Sequence, residues 1–277
     1  MTYEINGKAA FVTGGTSGIG LGIAMALAQL GARVAVTFRR EAQLEEAMRH
    51  LAAAGSKVRA VHLDVTDRTA FAAAAAQTEA VMGPIDILCN NAGVSLMGPA
   101  EDCLIEDWNW IMDANLNGVM NGVRAFVPGM KRRGHGGYIV NVGSIAAFVP
   151  NGFAGAYVTS KYALRGLTET LRLSLAQHSI NVSLVSPGLT NTGVYSSAQR
   201  RDSRTPGTVM SEQELASRAA RHAQGSDPFA VGRCVVEGLI RKEAHIVTHP
   251  EMNAQVLGQL AAEAHFFRDD AGGGNDG

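Results

Sequence analysis

An apolar, β-branched run, AAFVT (9–13), passes straight into TGGTSGIG (13–20), which opens an amphipathic stretch near 18–30. A strand, a glycine-rich turn and a helix in immediate succession admit few architectures, because the helix must fold back over the strand it has just left. The pattern then repeats. Further strands are expected at 33–38, 58–63, 85–90, 138–142, 181–186 and 245–248, with helices near 40–54, 67–82, 105–133 (broken in two), 157–178 and 228–243. Alternating βα units imply an α/β fold, a doubly wound seven-stranded parallel sheet with helices on both faces. The alanine run at 71–83 fits a crossover helix ended by Gly83-Pro84.

Residues 1–267 are expected to form one domain. The polar stretch 193–227, which contains RRDSR (200–204), is too long for a plain connection, and 189–227 is therefore expected to act as a substrate lid. Residues 268–277, rich in glycine and polar residues at their end, are expected to be a disordered tail. Apolar residues make up 46% of the 277 and charged residues 18%, which supports a sizeable core. A formal net charge of −1 gives no field to recruit nucleic acid or an anionic membrane, so small molecules are the expected partners. The chain enters its first strand without a basic region and apolar leader, and three cysteines (Cys89, Cys103, Cys234) show no metal-like spacing; a cytoplasmic location follows as the default.

At a helix N-terminus, a glycine-rich turn lets backbone N–H groups approach a pyrophosphate. The candidate contacts are Gly14, Thr16, Ser17, Gly18, Ile19 and Gly20, although glycines at 14, 18 and 20 depart from the general GxGxxG spacing. At the end of the second strand, where a carboxylate would bind the 2′-hydroxyl of NAD, stand Phe38, Arg39 and Arg40. Charge thus favours the 2′-phosphate of NADP(H) over NAD(H). Alternatively, the arginines begin the solvated face of the next helix and pair with Glu41, Glu45 or Glu46. Asp64 is a candidate for the adenine amino group with Val65 offering backbone contact, while Thr66 or Asp67 suits a helix cap. Asn91, Ala92 and Gly93 of NNAG (90–93) fall at the sheet's carboxyl edge, where Asn90 and Asn91 serve equally well as loop ties.

YVTSK places Tyr157 and Lys161 on one helix face, and Ser144 ends the strand before it. A free phenol titrates at about 10, and a nearby ammonium is expected to lower that value toward useful proton transfer. Ser144 can donate to a carbonyl oxygen on which negative charge develops. His245 and His249 lack a third partner for metal binding, and no metal is expected.

Taken in chain order, TGGTSGIG, LDV, NNAG, Asn115 in NLNG, Ser144 in NVGS, YVTSK and SPGLTNT (186–192) resemble the short-chain dehydrogenase/reductase family from about Lys8 to Thr248. The resemblance implies a Rossmann-type fold, a nicotinamide cofactor and a Ser144/Tyr157/Lys161 centre in which Asn115 holds a water leading to solvent. It also counts Pro187 and Gly188, which turn the chain after the sixth strand, among the cofactor contacts and places Thr190 and Thr192 near the nicotinamide carboxamide, where the threonines' alternative is local turn bonding. Dimers or tetramers are implied through helices near 113–133 and 155–178. Leu164, Leu167, Leu171 and Leu175 are explained equally well by burial against the subunit's own sheet.

Ser144, Ile145, Tyr157 and Leu96 are the expected substrate contacts, with Ser95, Met97, Ala146, Phe148 and Phe153 nearby; this mostly apolar set suits a bulky hydrophobic ketone or secondary alcohol. Arg200, Arg201 and Arg204 are expected as solvated lid surface, with carboxylate or acyl-carrier recognition as the alternative. A 3-oxoacyl-thioester reductase is the nearest competing enzyme. An epimerase or dehydratase with tightly held cofactor, and a non-catalytic NAD(P)-sensing protein, are the readings from other classes.

Overall fold

A computed structural model describes residues 2–55, 58–201 and 206–267. Seven parallel strands form one sheet: β1 (Ala9–Val12), β2 (Arg33–Phe38), β3 (Val58–His62), β4 (Ile87–Asn90), β5 (Gly137–Val142), β6 (Ile180–Ser186) and β7 (His245–Val247). Their order is β3-β2-β1-β4-β5-β6-β7, so the chain builds outward from β1, returns, and builds the other half from β4. That reversal leaves a crevice between the carboxyl ends of β1 and β4, the place where doubly wound sheets bind ligands.

The helices expected from the sequence are present as α1 (Gly18–Gln29), α2 (Leu44–Ala53), α3 (Arg68–Met82), α4 (Ile105–Met112), α5 (Gly118–Arg133), α6 (Gly155–Leu175) and, after α7 (Glu212–Ala223), α8 (Pro228–Ile240). The expected break between α4 and α5 is a wide turn of π-helical form at Asp113–Asn117. Two helices were not expected: α7, opened by a Ser211/Glu214 capping box inside the supposed lid, and α9 (Asn253–Ala264). Neither buries a residue fully. Arg204 and the tail 268–277 lie outside the described residues. Among the described residues, no helix is long and apolar enough to cross a membrane.

Alternate residues of each strand feed two cores. Ala10, Val12, Val34 and Val36 pack with α1, α2 and α8, while Ala9, Phe11 and Ala35 face α3, α5 and α6. Phe11 meets Phe126 at 4.9 Å and Phe71 at 6.0 Å between ring centroids. Leu164 and Leu175 are buried against the subunit's own sheet side, whereas Leu173 on the same helix is 71% exposed.

On the opposite face α1 and α8 pack backbone to backbone. A Cβ at Gly232 would collide with the Gly22 main chain, and one at Gly22 with the Pro228 carbonyl. This contact holds the helix that carries the glycine-rich turn. Gly232→Ala is expected to destabilise the protein by about 1–3 kcal/mol although alanine is the better helix former, lowering Tm by several degrees; an unchanged or raised Tm in thermal denaturation contradicts the close approach.

Candidate active site

The crevice at the sheet's carboxyl edge is a cleft of about 1010 Å³. Its first wall is the glycine-rich turn, held from both neighbouring strands. Gly14 N donates to Thr37 Oγ1 at 3.0 Å; Thr13 Oγ1 accepts from Asn91 N at 2.9 Å and Ala92 N at 3.0 Å; and Asn91 Nδ2 donates to Thr13 O at 2.9 Å. Gly18 starts α1 at φ +53°, and an added Cβ would press on Thr192 at 3.0 Å. Gly20, expected as a ligand contact, is instead buried behind the turn, where a side chain would strike Asn91 and the Gly14 carbonyl. Its part is to admit the Asn91 clamp. Gly14, Thr16, Ser17, Gly18 and Ile19 do line the cleft. Ser17 makes no side-chain cap to α1, and no acidic residue occupies the first turn, so the helix end is open to an anion. Exposed N–H groups, a fixed turn and no room for side chains fit a pyrophosphate.

Beyond β2, Arg39 and Arg40 line the same cleft with Asp64 and Val65. Arg39 pairs with Asp64 at 3.6 Å, and neither arginine pairs with Glu41, Glu45 or Glu46 among the described residues. Asp64 also accepts from Thr66 N at 3.0 Å and Oγ1 at 2.8 Å, while Asp67 caps α3 by accepting from Ala70 N at 2.9 Å. The Val65 carbonyl accepts from Asn121 Nδ2 at 2.9 Å. On the far wall, Ala92, Gly93, Pro187, Gly188, Thr190 and Thr192 line the cleft. Thr190 Oγ1 also bonds Gly188 O at 3.3 Å, the local turn bond expected as its alternative.

Ser144, Tyr157 and Lys161 meet at the inner end, with Ile145 beside them. Ser144 follows β5 by two residues and accepts from Ala146 N at 3.1 Å. The Lys161 ammonium lies 5.6 Å from the centre of the Tyr157 ring and donates to Val142 O at 3.1 Å. Burial pushes Lys161 down from 10.5 to about 8. The expected lowering of the phenol is not found: burial of the hydroxyl end raises Tyr157 above its ordinary value, and the Ser144 hydroxyl is the group that pulls the other way. The reason is that burial of the phenol outweighs the neighbouring lysine, which is itself desolvated.

Asn115, expected to hold a water through its role in the centre, does not line the cleft. It is 1% exposed, and its side chain is committed: Oδ1 accepts from Val94 N at 2.8 Å, and Nδ2 donates to Val94 O and Ser160 Oγ, each at 3.0 Å. Ser160 in turn donates to the Tyr157 carbonyl at 2.7 Å. Asn90 lies beneath, bonded through Nδ2 to Asn141 Oδ1 at 2.9 Å, and Asn141 continues to Thr168.

At the outer end three expected contacts are displaced. Leu96 is buried with Ile111, Ala156 and Ala198; Phe148 lies under the Arg165 guanidinium at 4.2 Å; and Phe153 is 71% exposed. None lines the cleft among the described residues; Leu96 follows a chain held at Val94 by Asn115, whereas Phe148 stacks on Arg165 and Phe153 faces outward. Ser95, Met97, Ile145 and Ala146 do line it, joined by Trp110 and Val158, which sequence reasoning missed. Trp110 read only as one apolar residue of a helix; the π-turn following it carries no distinct sequence mark.

Arg201 corrects the expectation of a solvated lid. Its side chain is 5% exposed, donates to the fully buried Asp107 at 2.6 Å and lies 4.1 Å over the Trp110 ring. Thr208 adds a hydroxyl bond to Asp107 at 2.6 Å. Burial alone would raise the Asp107 carboxyl, but the bonds from Thr208 and Arg201 hold it below its ordinary value. His249 is likewise occupied: Nδ1 accepts from Gly188 N at 2.9 Å and Nε2 faces Leu189 O at 3.1 Å, pinning the turn after β6. Among the described residues, no group of three His, Cys, Asp or Glu could hold a metal.

Lys161 gives a pH signature. Its folded value lies below the unfolded one, so between pH 8 and 10.5 the unfolded chain binds more protons and stability contributed at this site rises with pH. Denaturation of the wild type and Lys161→Met across that window is expected to show the wild type gaining on the variant by up to about 3 kcal/mol; a difference independent of pH overturns the desolvated ammonium.

Comparison with known proteins agrees with this geometry. The family model described as short chain dehydrogenase matches residues 8–203. The chain is 34% identical over 252 residues to a protein named C alpha-dehydrogenase of Sphingobium sp. (strain NBRC 103272 / SYK-6), covering 90% of this chain and 83% of that one. It is 32% identical over 248 residues to the NADP-dependent (R)-specific alcohol dehydrogenase of Lentilactobacillus kefiri, covering 86% and 98%. A short chain dehydrogenase/reductase from Burkholderia phymatum, solved in complex with NAD, superposes with a TM-score of 0.85 at 30% identity, covering 92% of this chain and 93% of that one. The chain belongs to the short-chain dehydrogenase/reductase family of oxidoreductases.

Proposed function

We propose that the protein moves a hydride between C4 of a nicotinamide cofactor, NADP(H) in preference to NAD(H), and a bulky hydrophobic ketone or secondary alcohol. The observation that carries this reading is that Ser144, Tyr157 and Lys161 stand in the same cleft as the glycine-rich turn. The turn residues, Asn91 to Gly93 and the 187–192 segment would hold the cofactor, which supplies or accepts the hydride when bound. Tyr157 gives a proton to the carbonyl oxygen in reduction and takes one from the alcohol in oxidation. Ser144 steadies the same oxygen and favours the phenolate. Lys161, poised near 8, exchanges a proton with the buried region at modest cost. Asn115, whose side chain bonds Val94 and Ser160, would hold a water leading to solvent.

Met97, Trp110 and Val158 at the outer end support an apolar substrate, an aromatic one included. Arg39 and Arg40 support the 2′-phosphate, as does the NADP dependence named for the Lentilactobacillus relative. Assembly into a homodimer or homotetramer and a cytoplasmic location belong to the same reading, with exposed Leu173 on α6 available to an interface.

The test is NADPH oxidation over a panel of aryl and aliphatic ketones. Tyr157→Phe is expected to lower kcat by about 10²–10⁴-fold while NADPH binding is retained. Cofactor binding without turnover on any ketone or alcohol, or turnover indifferent to Tyr157→Phe, sinks the dehydrogenase reading and favours a sensor.

A further inference from the structure

Two adjacent arginines on the segment after β6 turn to opposite ends of the cleft. Arg201 is buried on Asp107 and Trp110, which anchors the segment from behind. Arg200 turns toward the end of β2. Its guanidinium bonds the Gly193 carbonyl, its main-chain N–H donates to Ser197 O at 3.0 Å, and its own carbonyl accepts from Arg39 Nη2 at 3.2 Å. Burial, then the charges of Arg40 and Arg39, hold Arg200 below its ordinary value, in keeping with the Arg39 guanidinium reaching the Arg200 carbonyl. All three line one wall of the cleft.

Among the described residues, the single carboxylate within ion-pair distance of any of them is Asp64, 3.6 Å from Arg39. Three guanidinium groups facing one carboxylate repel one another unless an anion completes the cluster. The forked N–H groups of arginine match the oxygens of a phosphate monoester, so the missing partner has that chemistry. The glycine-rich turn would hold the pyrophosphate, and the arginine cluster lies beyond β2 in the same crevice.

We propose that Arg200 is the third cation of the 2′-phosphate subsite, delivered by the segment after β6 to Arg39 and Arg40. Cofactor selectivity is then set from two separate parts of the chain, and the segment that walls the substrate end also touches the cofactor. This rests on the NADP(H) reading above, and the experiment separates the two.

Dissociation constants are measured for NADPH, NADH and 2′,5′-ADP with the wild type, Arg200→Gln, Arg200→Lys and Arg39→Gln, each checked for unchanged Tm. Arg200→Gln is expected to weaken NADPH and 2′,5′-ADP by about tenfold or more and to leave NADH within about twofold, and Arg200→Lys to recover most of the loss. If Arg200→Gln weakens NADPH and NADH alike, or neither, while Arg39→Gln still acts on NADPH selectively, Arg200 is only a brace for Gly193 and the proposal is overturned. If no variant distinguishes NADPH from NADH, the NADP(H) reading itself fails.

Discussion

The side chain of Asn115 is the bracket on which the rest of the site depends. Two bonds to the Val94 main chain fix the loop that leaves β4, and one bond to Ser160 fixes the helix that carries Tyr157 and Lys161. Across the same loop, Asn91 ties β4 to the glycine-rich turn. One path of hydrogen bonds and short chain therefore runs from the glycine-rich turn to the helix that carries Tyr157 and Lys161. The wide turn Asp113–Asn117 is what presents Asn115 to both partners, and interruptions of this kind recur at functional positions.

Within that frame the chemistry follows from desolvation. Lys161 is 6% exposed and its charged form is disfavoured, while the Tyr157 hydroxyl end is buried and its neutral form favoured. A neutral phenol beside an ammonium that releases its proton near 8 is a pair set to pass protons in either direction. The Ser144 hydroxyl opposes the effect of burial on the phenol. A low-dielectric site makes each of these dipoles count for more than it would in water.

Much of this was legible in the sequence, for identifiable reasons. Strands buried on both faces read as short apolar runs, so all seven were found within two residues of their ends. The Tyr157/Lys161 spacing and the turn's position after β1 located the cleft. What escaped depended on contacts between distant segments. Leu96 looked like a pocket residue until the Val94–Asn115 bonds turned it inward, and Arg201 looked solvated until Asp107, 94 residues away, claimed it. The direction of the Tyr157 shift was misjudged because spacing reveals a neighbouring charge but not the burial that outweighs it. α7 and α9, which bury no residue fully, were missed as well.

The central claim is that one cleft holds a nicotinamide donor and the Ser144/Tyr157/Lys161 set in reacting register. The direct measurement is a single turnover with NADPH deuterated at C4 and an aryl ketone, read by mass spectrometry and NMR of the alcohol. The account predicts that deuterium from one face of the ring appears on the carbinol carbon without exchange with solvent. Label that reaches the carbinol carbon from neither C4 epimer of the cofactor, or that is lost to water, contradicts it.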